Sequence, residues 1–258
     1  MSAPRVFNFG GGVQSTAALV LAVRGEIPHR TFVFSNVGDD SESPHTLKYV
    51  REVSGPYAKK NGIELVTLQK RTKDGKPQTL IQRIFKTDRA MVIPVRLSRS
   101  GMPASRSCTA EFKVRVVQRW LKQHGATRDD PGTSALGISI DEIQRMRMDS
   151  GCAYTKLEYP LINLRIDRDE CKRIIAGAGL PVPPKSSCWF CPFHSVREWA
   201  RIQREEPGVF WRCVEMEKRM NDKLQAAGSD PVYFSDRLKP LDKAFSQLDL
   251  FSKAPEDC

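Results

Sequence analysis

Residues 5–23, RVFNFGGGVQSTAALVLAV, decide the fold. Val6, Phe7 and Phe9 make a short apolar strand, the glycines at 10, 11 and 12 break it, and Ser15-Thr16 open an apolar helical run. A glycine loop between strand and helix lets backbone N–H groups close on a phosphate, and the helix N-terminus adds partial positive charge. Ser15 can donate its hydroxyl to the same anion. Taken alone, the three glycines would equally serve a tight turn with no ligand. Their spacing matches neither GxGxxG nor GxxxxGK[ST], which disfavours those two nucleotide folds.

Working outward, the run after His29 is rich in β-formers (TFVF) and ends in Asn36-Val37-Gly38-Asp39-Asp40. A helix is expected over 44–60 and a strand over 63–68. The first 70 residues thus read β-α-β-α-β, which predicts an α/β fold with a doubly wound, mostly parallel sheet. The loops after Phe9 and Phe34 fall at the carboxyl ends of their strands, where such sheets hold ligands. Further on come a weak helix near 79–85, a Ser/Arg/Gly-rich loop over 98–107 and an amphipathic helix over 110–123. A β-type run at 134–140 ends at Asp141-Glu142, and a short helix covers 168–178. Prolines between 181 and 184 mark a break before two more helices, near 196–205 and 209–227. The expected division is a nucleotide-binding domain over 1–180 and a cysteine-bearing, helical C-terminal part over 181–258, its tail frayed from 254.

Hydrophobic residues make up 40% of the 258 and charged ones 28%, which excludes disorder as the main state. The longest aliphatic run, 17–23, is far short of the roughly 20 residues that cross a bilayer. The opening MSAPRVFNF lacks the pattern of a signal peptide, so a cytoplasmic protein without a membrane partner is expected. Seven cysteines, an odd number with no export signal, favour metal or redox chemistry over a disulfide framework. The net charge of +11 is concentrated: residues 69–124 hold fourteen Lys or Arg against three acids, leaving the rest neutral overall. Such a segment suits a polyanion, a nucleic acid or a multiply phosphorylated nucleotide, although a solvated basic face would look the same.

Four ordered segments carry a resemblance. Residues 9–16 (FGGGVQST) resemble the pyrophosphate loop, SGGxDS, of the adenine nucleotide alpha hydrolase superfamily. Asn36 to Asp40 resembles its second-strand loop, which meets adenosine. Arg106-Ser107-Cys108-Thr109 with Phe112-Lys113 resembles the RxCTxxxK stretch of the PAPS reductase-like branch. Gly137 to Glu142 with Arg145 resembles its GxRxxES/R element. The superfamily includes PAPS reductases, ATP-dependent tRNA thiolases and the sulfurtransferase component of DNA phosphorothioation systems. The resemblance implies ATP with Mg2+ as ligand, contacted by Gly10, Gly11, Gly12, Gln14, Ser15, Thr16, Asn36, Gly137 and Arg106. It implies catalytic roles for Ser15, Asp39 and Asp141. Gly10 and Gln14 replace the usual loop Ser and Asp, removing a carboxylate that could help hold magnesium; Asp39, Asp40, Asp141 or Glu142 could supply one. Cys258 follows Pro-Glu-Asp and lacks the setting of the terminal cysteine by which PAPS reductases take electrons.

Residues 187–194, SCWFCPFH, contain a CxxC pair after a proline break, a setting that suits metal better than a thioredoxin-like dithiol, with two packing thiols as the alternative. The resemblance brings Cys108 near Cys188 and Cys191. Three thiolates can hold a [4Fe-4S] cluster with one iron open, while His194 or Cys213 as fourth ligand would allow zinc. Cys152, Cys171 and Cys213 read as small core or semi-exposed residues, and Trp189, Phe190 and Phe193 either as a shield of a cluster from water or as ordinary core. Arg96, Arg99 and Arg106 flank a glycine-bearing loop, either as a phosphate clamp or as a disordered basic lid. The implied activity is an ATP pyrophosphatase that adenylates an acceptor, DNA, tRNA or a small molecule, and supports sulfur transfer from a donor such as a cysteine desulfurase. The alternatives are a reductase of adenylyl sulfate or its 3′-phosphorylated form, and an inactive nucleotide- or DNA-binding subunit.

Overall fold

The computed structural model describes residues 3–86 and 91–245; Cys258 and the tail lie outside them. Two compact units form, each from two stretches of chain: residues 1–79 with 109–187, and residues 80–108 with 188–258. The basic 80–108 segment, expected in the nucleotide-binding part, thus groups with the cysteine-bearing part.

The first unit is built on five parallel strands, β1 (Arg5–Phe9), β2 (Thr31–Asn36), β3 (Glu64–Gln69), β5 (Gly132–Leu136) and β6 (Thr155–Glu158), in the order β3-β2-β1-β5-β6. Alternation along each strand sends successive side chains to opposite faces. Phe7, Phe9, Phe32 and Phe34 join one buried cluster with the helix α1 (Val13–Val23) and the helix Arg168–Gly177. Val6 and Val33 point the other way, onto Val117 and Leu121 of the helix Arg115–Gln123. Helices on both faces make the sheet doubly wound, as its sequence predicts. α1 is apolar on every side, and its residues from Ala17 to Ala22 are all buried, which is what an all-round hydrophobic helix requires.

The expected helix over 44–60 forms with a π turn, Val50–Ser54, in its middle. The β-type run expected over 134–140 ends at Leu136, because the chain turns at Gly137 into the 3-10 turn Ile140–Arg145. β6 has no counterpart in the sequence reading.

In the second unit, the strands β4 (Arg96–Leu97) and β7 (Val232–Tyr233) pair antiparallel. Trp199, Phe210, Phe234 and Leu241 pack its interior, on the helices Val196–Glu205 and Pro207–Ala226. Glu217 is buried there, accepting from the N–H of Phe234 at 2.6 Å and of Leu241 at 2.7 Å. No described helix is long and apolar enough to cross a membrane.

Candidate anion site and cysteine turn

The chain leaves β1 toward β2 and β3 and later returns to build β5 and β6 on the other side. The carboxyl ends of β1 and β5 are therefore the point where strand order reverses, the crevice in which open α/β sheets hold ligands. Both loops there are tightly constrained. Gly11 has φ +70°, and a Cβ on it would lie 2.8 Å from Thr46 Cγ2. A Cβ on Gly12 would lie 2.6 Å from Ser186 Oγ, so the Ser186 hydroxyl sits directly over the loop. Gly137 packs its backbone on the first turn of α1, with a Cβ position 3.4 Å from the nitrogen of Ser15.

The N–H of Gly12 donates to Ser15 Oγ at 3.2 Å, and that hydroxyl donates back to the Gly12 carbonyl at 3.0 Å. The N–H groups of Val13, Gln14 and Ser15 have no carbonyl within the helix to bond, as at any helix start. No acid occupies this first turn, so its partial positive charge is left for a ligand. Thr16, expected to contact nucleotide, has a fully buried side chain, and its N–H donates to the Gly12 carbonyl at 3.0 Å.

Gln14 is the hub of the polar network. Its Nε2 donates to Glu142 Oε2 at 3.2 Å, and its Oε1 accepts from Arg168 Nη1 at 3.0 Å. Glu142 also accepts from Arg145 at 2.5 Å, and Asp141 Oδ1 accepts from the backbone N–H of Arg168 at 3.1 Å. Of the four candidate carboxylates, Glu142 is hydrogen-bonded to the glycine loop's own helix, through Gln14. Asn36 shapes the loop after β2: it accepts from the Gly38 N–H at 2.8 Å and donates to Asp39 Oδ1 at 2.7 Å. Asp40 accepts from Ser41 at 2.7 Å and from Thr79 at 2.9 Å. Ser186 and Arg168 escape sequence reading, since each reaches the loop from more than 150 residues away. The only local signal for Ser186 is its place beside the CxxC pair.

Cys108, Cys188, Cys191 and Arg106 all belong to the second unit. The N–H of Cys191 donates to the Cys188 carbonyl at 3.2 Å, so the two cysteines bracket one tight turn. All three thiols are partly exposed, as is Cys152, whereas Cys171 and Cys213 are fully buried. Burial pushes the Cys171 thiol up to about 12 and raises that of Cys213 further. Cys213 donates to the Trp189 carbonyl at 3.7 Å, a packing role, which argues against it as a fourth ligand. The thiol chemistry suits iron or zinc, but among the described residues no three Cys, His, Asp or Glu side chains converge to hold a metal ion.

The arginine segment is ordered rather than loose: Leu97 N–H donates to the Met102 carbonyl at 3.0 Å and Ala104 N–H to Val95 at 2.8 Å. Arg99 pairs with Asp230 at 2.7 Å. Phe193 is 37% exposed, which sets aside the ordinary-core reading for it.

The fold is that of an α/β protein with a glycine loop at the switch point of a parallel sheet. No protein-family model matches the chain, and no curated protein matches it. Among solved structures, it is similar to the U34-tRNA thiolase NcsA from Methanococcus maripaludis with its [4Fe-4S] cluster, at TM-score 0.44 and 14% identity over 85% of this chain and 72% of that one. Chemistry for this chain has to come from its own residues.

Proposed function

We propose that the chain is a PAPS reductase-like ATP pyrophosphatase that adenylates an acceptor and supports its sulfuration, with a nucleic acid, DNA or tRNA, as the acceptor. The observation that carries this reading is the glycine loop: a helix start with unspent N–H groups, no acid in its first turn, and Gly11, whose positive φ and close neighbours disfavour any side chain. An acceptor oxygen attacks the α-phosphorus of ATP; the new P–O bond forms as the bond to pyrophosphate breaks. Gly11, Gly12 and the N–H groups of Val13 and Gln14 hold the departing pyrophosphate, whose growing charge the α1 dipole favours. Ser186 and Ser15 lie beside that anion. Glu142 is the carboxylate best placed to share Mg2+, and Asp39 and Asp141 border the same end of the sheet. A sulfur nucleophile then attacks the adenylated centre, its new bond to sulfur forming as the bond to the adenylated oxygen breaks and AMP leaves with that oxygen. Where the donor is a persulfide, as on a cysteine desulfurase, an external thiol supplies the two electrons that cleave the resulting S–S bond and leave the sulfur on the acceptor.

A [4Fe-4S] cluster, or zinc in its place, would require Cys108, Cys188 and Cys191 to converge, which they do not do among the described residues. The experiment is formation of AMP and pyrophosphate from ATP, with candidate RNA or DNA acceptors and a sulfur donor present. Acceptor-dependent release that a Ser15→Ala variant loses supports the reading. Sulfite release from adenylyl sulfate would instead indicate the reductase. Tight ATP binding without turnover would indicate an inactive subunit.

A further inference from the structure

Phe193, Arg96 and Arg106, all in the second unit, form an arrangement that the activation chemistry does not use. The Arg106 guanidinium lies 5.0 Å from the centre of the Phe193 ring and that of Arg96 lies 6.0 Å from it. Arg96 is fixed at its backbone, paired with Tyr233 across β4 and β7 and bridged to Pro103. Phe193 is fixed too, by the turn at Cys188 and Cys191 and by the His194 N–H donating to the Cys191 carbonyl at 3.0 Å.

Among the described residues neither guanidinium has a carboxylate partner, and Arg96 Nε is buried with no hydrogen-bond acceptor. Arg99, in the same hairpin, is neutralised by Asp230. Two like charges drawn to one ring repel each other, and the ring's quadrupole offsets that only in part. An anion would supply the rest. An exposed aromatic flanked by two unpaired guanidiniums is the set of groups that grips a single strand: a base stacks on the ring and its phosphate meets the arginines. A duplex hides its base faces and would not use the ring.

We propose that Phe193, Arg96 and Arg106 bind a nucleotide unit of a single-stranded nucleic acid. That this strand is the acceptor rests on the function proposed above; the binding itself does not.

The test is fluorescence anisotropy of the full chain with labelled single-stranded 12-mers of DNA and RNA across a salt series. Loss of the stacking ring in Phe193→Ala is expected to weaken binding about tenfold or more. Arg106→Gln should weaken it and reduce the slope of log K against log salt by roughly 0.7, the value for one phosphate contact on a single strand. Arg204→Gln, which removes a charge already paired with Glu205, should leave the slope unchanged. A Phe193→Trp variant should still bind, with an indole emission change that saturates along with the anisotropy. The proposal is overturned if Phe193→Ala and Arg106→Gln bind as the parent does. It is overturned equally if duplex or free ATP displaces the strand at matched nucleotide concentration. Loss of ATP turnover with strand binding intact would sink the activation chemistry alone.

Discussion

The side-chain amide of Gln14 donates to Oε2 of Glu142 at 3.2 Å, joining residues 128 apart in sequence at the start of α1. Arg168 bonds the other end of the same amide, so Gln14 ties the glycine loop to the segment after β5 and to a third helix. The residue that replaces a loop carboxylate therefore reaches toward one. Glu142 is held by Gln14 and Arg145 with its side chain 26% exposed, anchored yet open to solvent on one side.

Removing that carboxylate should show in magnesium dependence. Glu142→Ala is expected to fold, and to bind ATP about tenfold more weakly, or ~1.4 kcal/mol, at limiting Mg2+. The loss should shrink as Mg2+ is raised. Calorimetric ATP titrations at several Mg2+ concentrations check this, and an affinity equal to the parent at every concentration would remove Glu142 from the site.

Gly11→Ala combines two penalties. Its φ of +70° costs an L side chain about 1–2 kcal/mol, and the new methyl would press on Thr46 and Val50, which line that space. Gly62 has nearly the same φ, +67°, with nothing within 4 Å of its Cβ position, so Gly62→Ala isolates the backbone contribution. Urea midpoints should fall for both and fall further for Gly11→Ala, which alone should lose ATP binding.

Thiol reactivity should sort the cysteines by burial. At pH 8 with chelator present, iodoacetamide is expected to modify Cys108, Cys188 and Cys191 and to spare Cys171, whose thiol titrates near 12, and Cys213, also raised by burial. Peptide mapping reads the outcome. In protein purified without oxygen or chelator, joint protection of the three, with matching iron and sulfide or zinc, would support the metal reading. Three thiols equally reactive in both preparations would defeat it.

Much of this was legible in sequence because local rules and global fold agree there. The alternation in β1 and β2, the apolar α1 between glycine loop and core, and the acid-tipped loop after β2 each obey short-range periodicity. β6 was not legible: Thr155–Glu158 is only four residues, too few for Thr155 and Leu157 alternating with Lys156 and Glu158 to stand out, and it is a strand because β5 offers it a ladder. Arg168 and Ser186 were hidden for a similar reason, since their roles depend on where the chain returns.

Glu217 links pH to stability in the second unit. Burial raises its carboxyl from 4.5 to about 7, against the opposing pull of the Phe234 and Leu241 N–H groups. Between those values the folded chain holds a proton that the unfolded chain has released. This group's contribution is therefore fully present below about 4.5 and is lost as pH rises toward 7. Glu217→Gln cannot titrate, so the difference in unfolding free energy between parent and variant should slope across that window and level off above it. Glu217→Ala leaves two buried N–H groups without an acceptor and should cost about 2–6 kcal/mol, at the usual 1–3 kcal/mol for each unsatisfied group, with the same slope across the window. Urea unfolding at half-unit pH steps measures both, and a parent–variant difference flat from pH 4.5 to 7 would show that Glu217 stays ionised on its two donors.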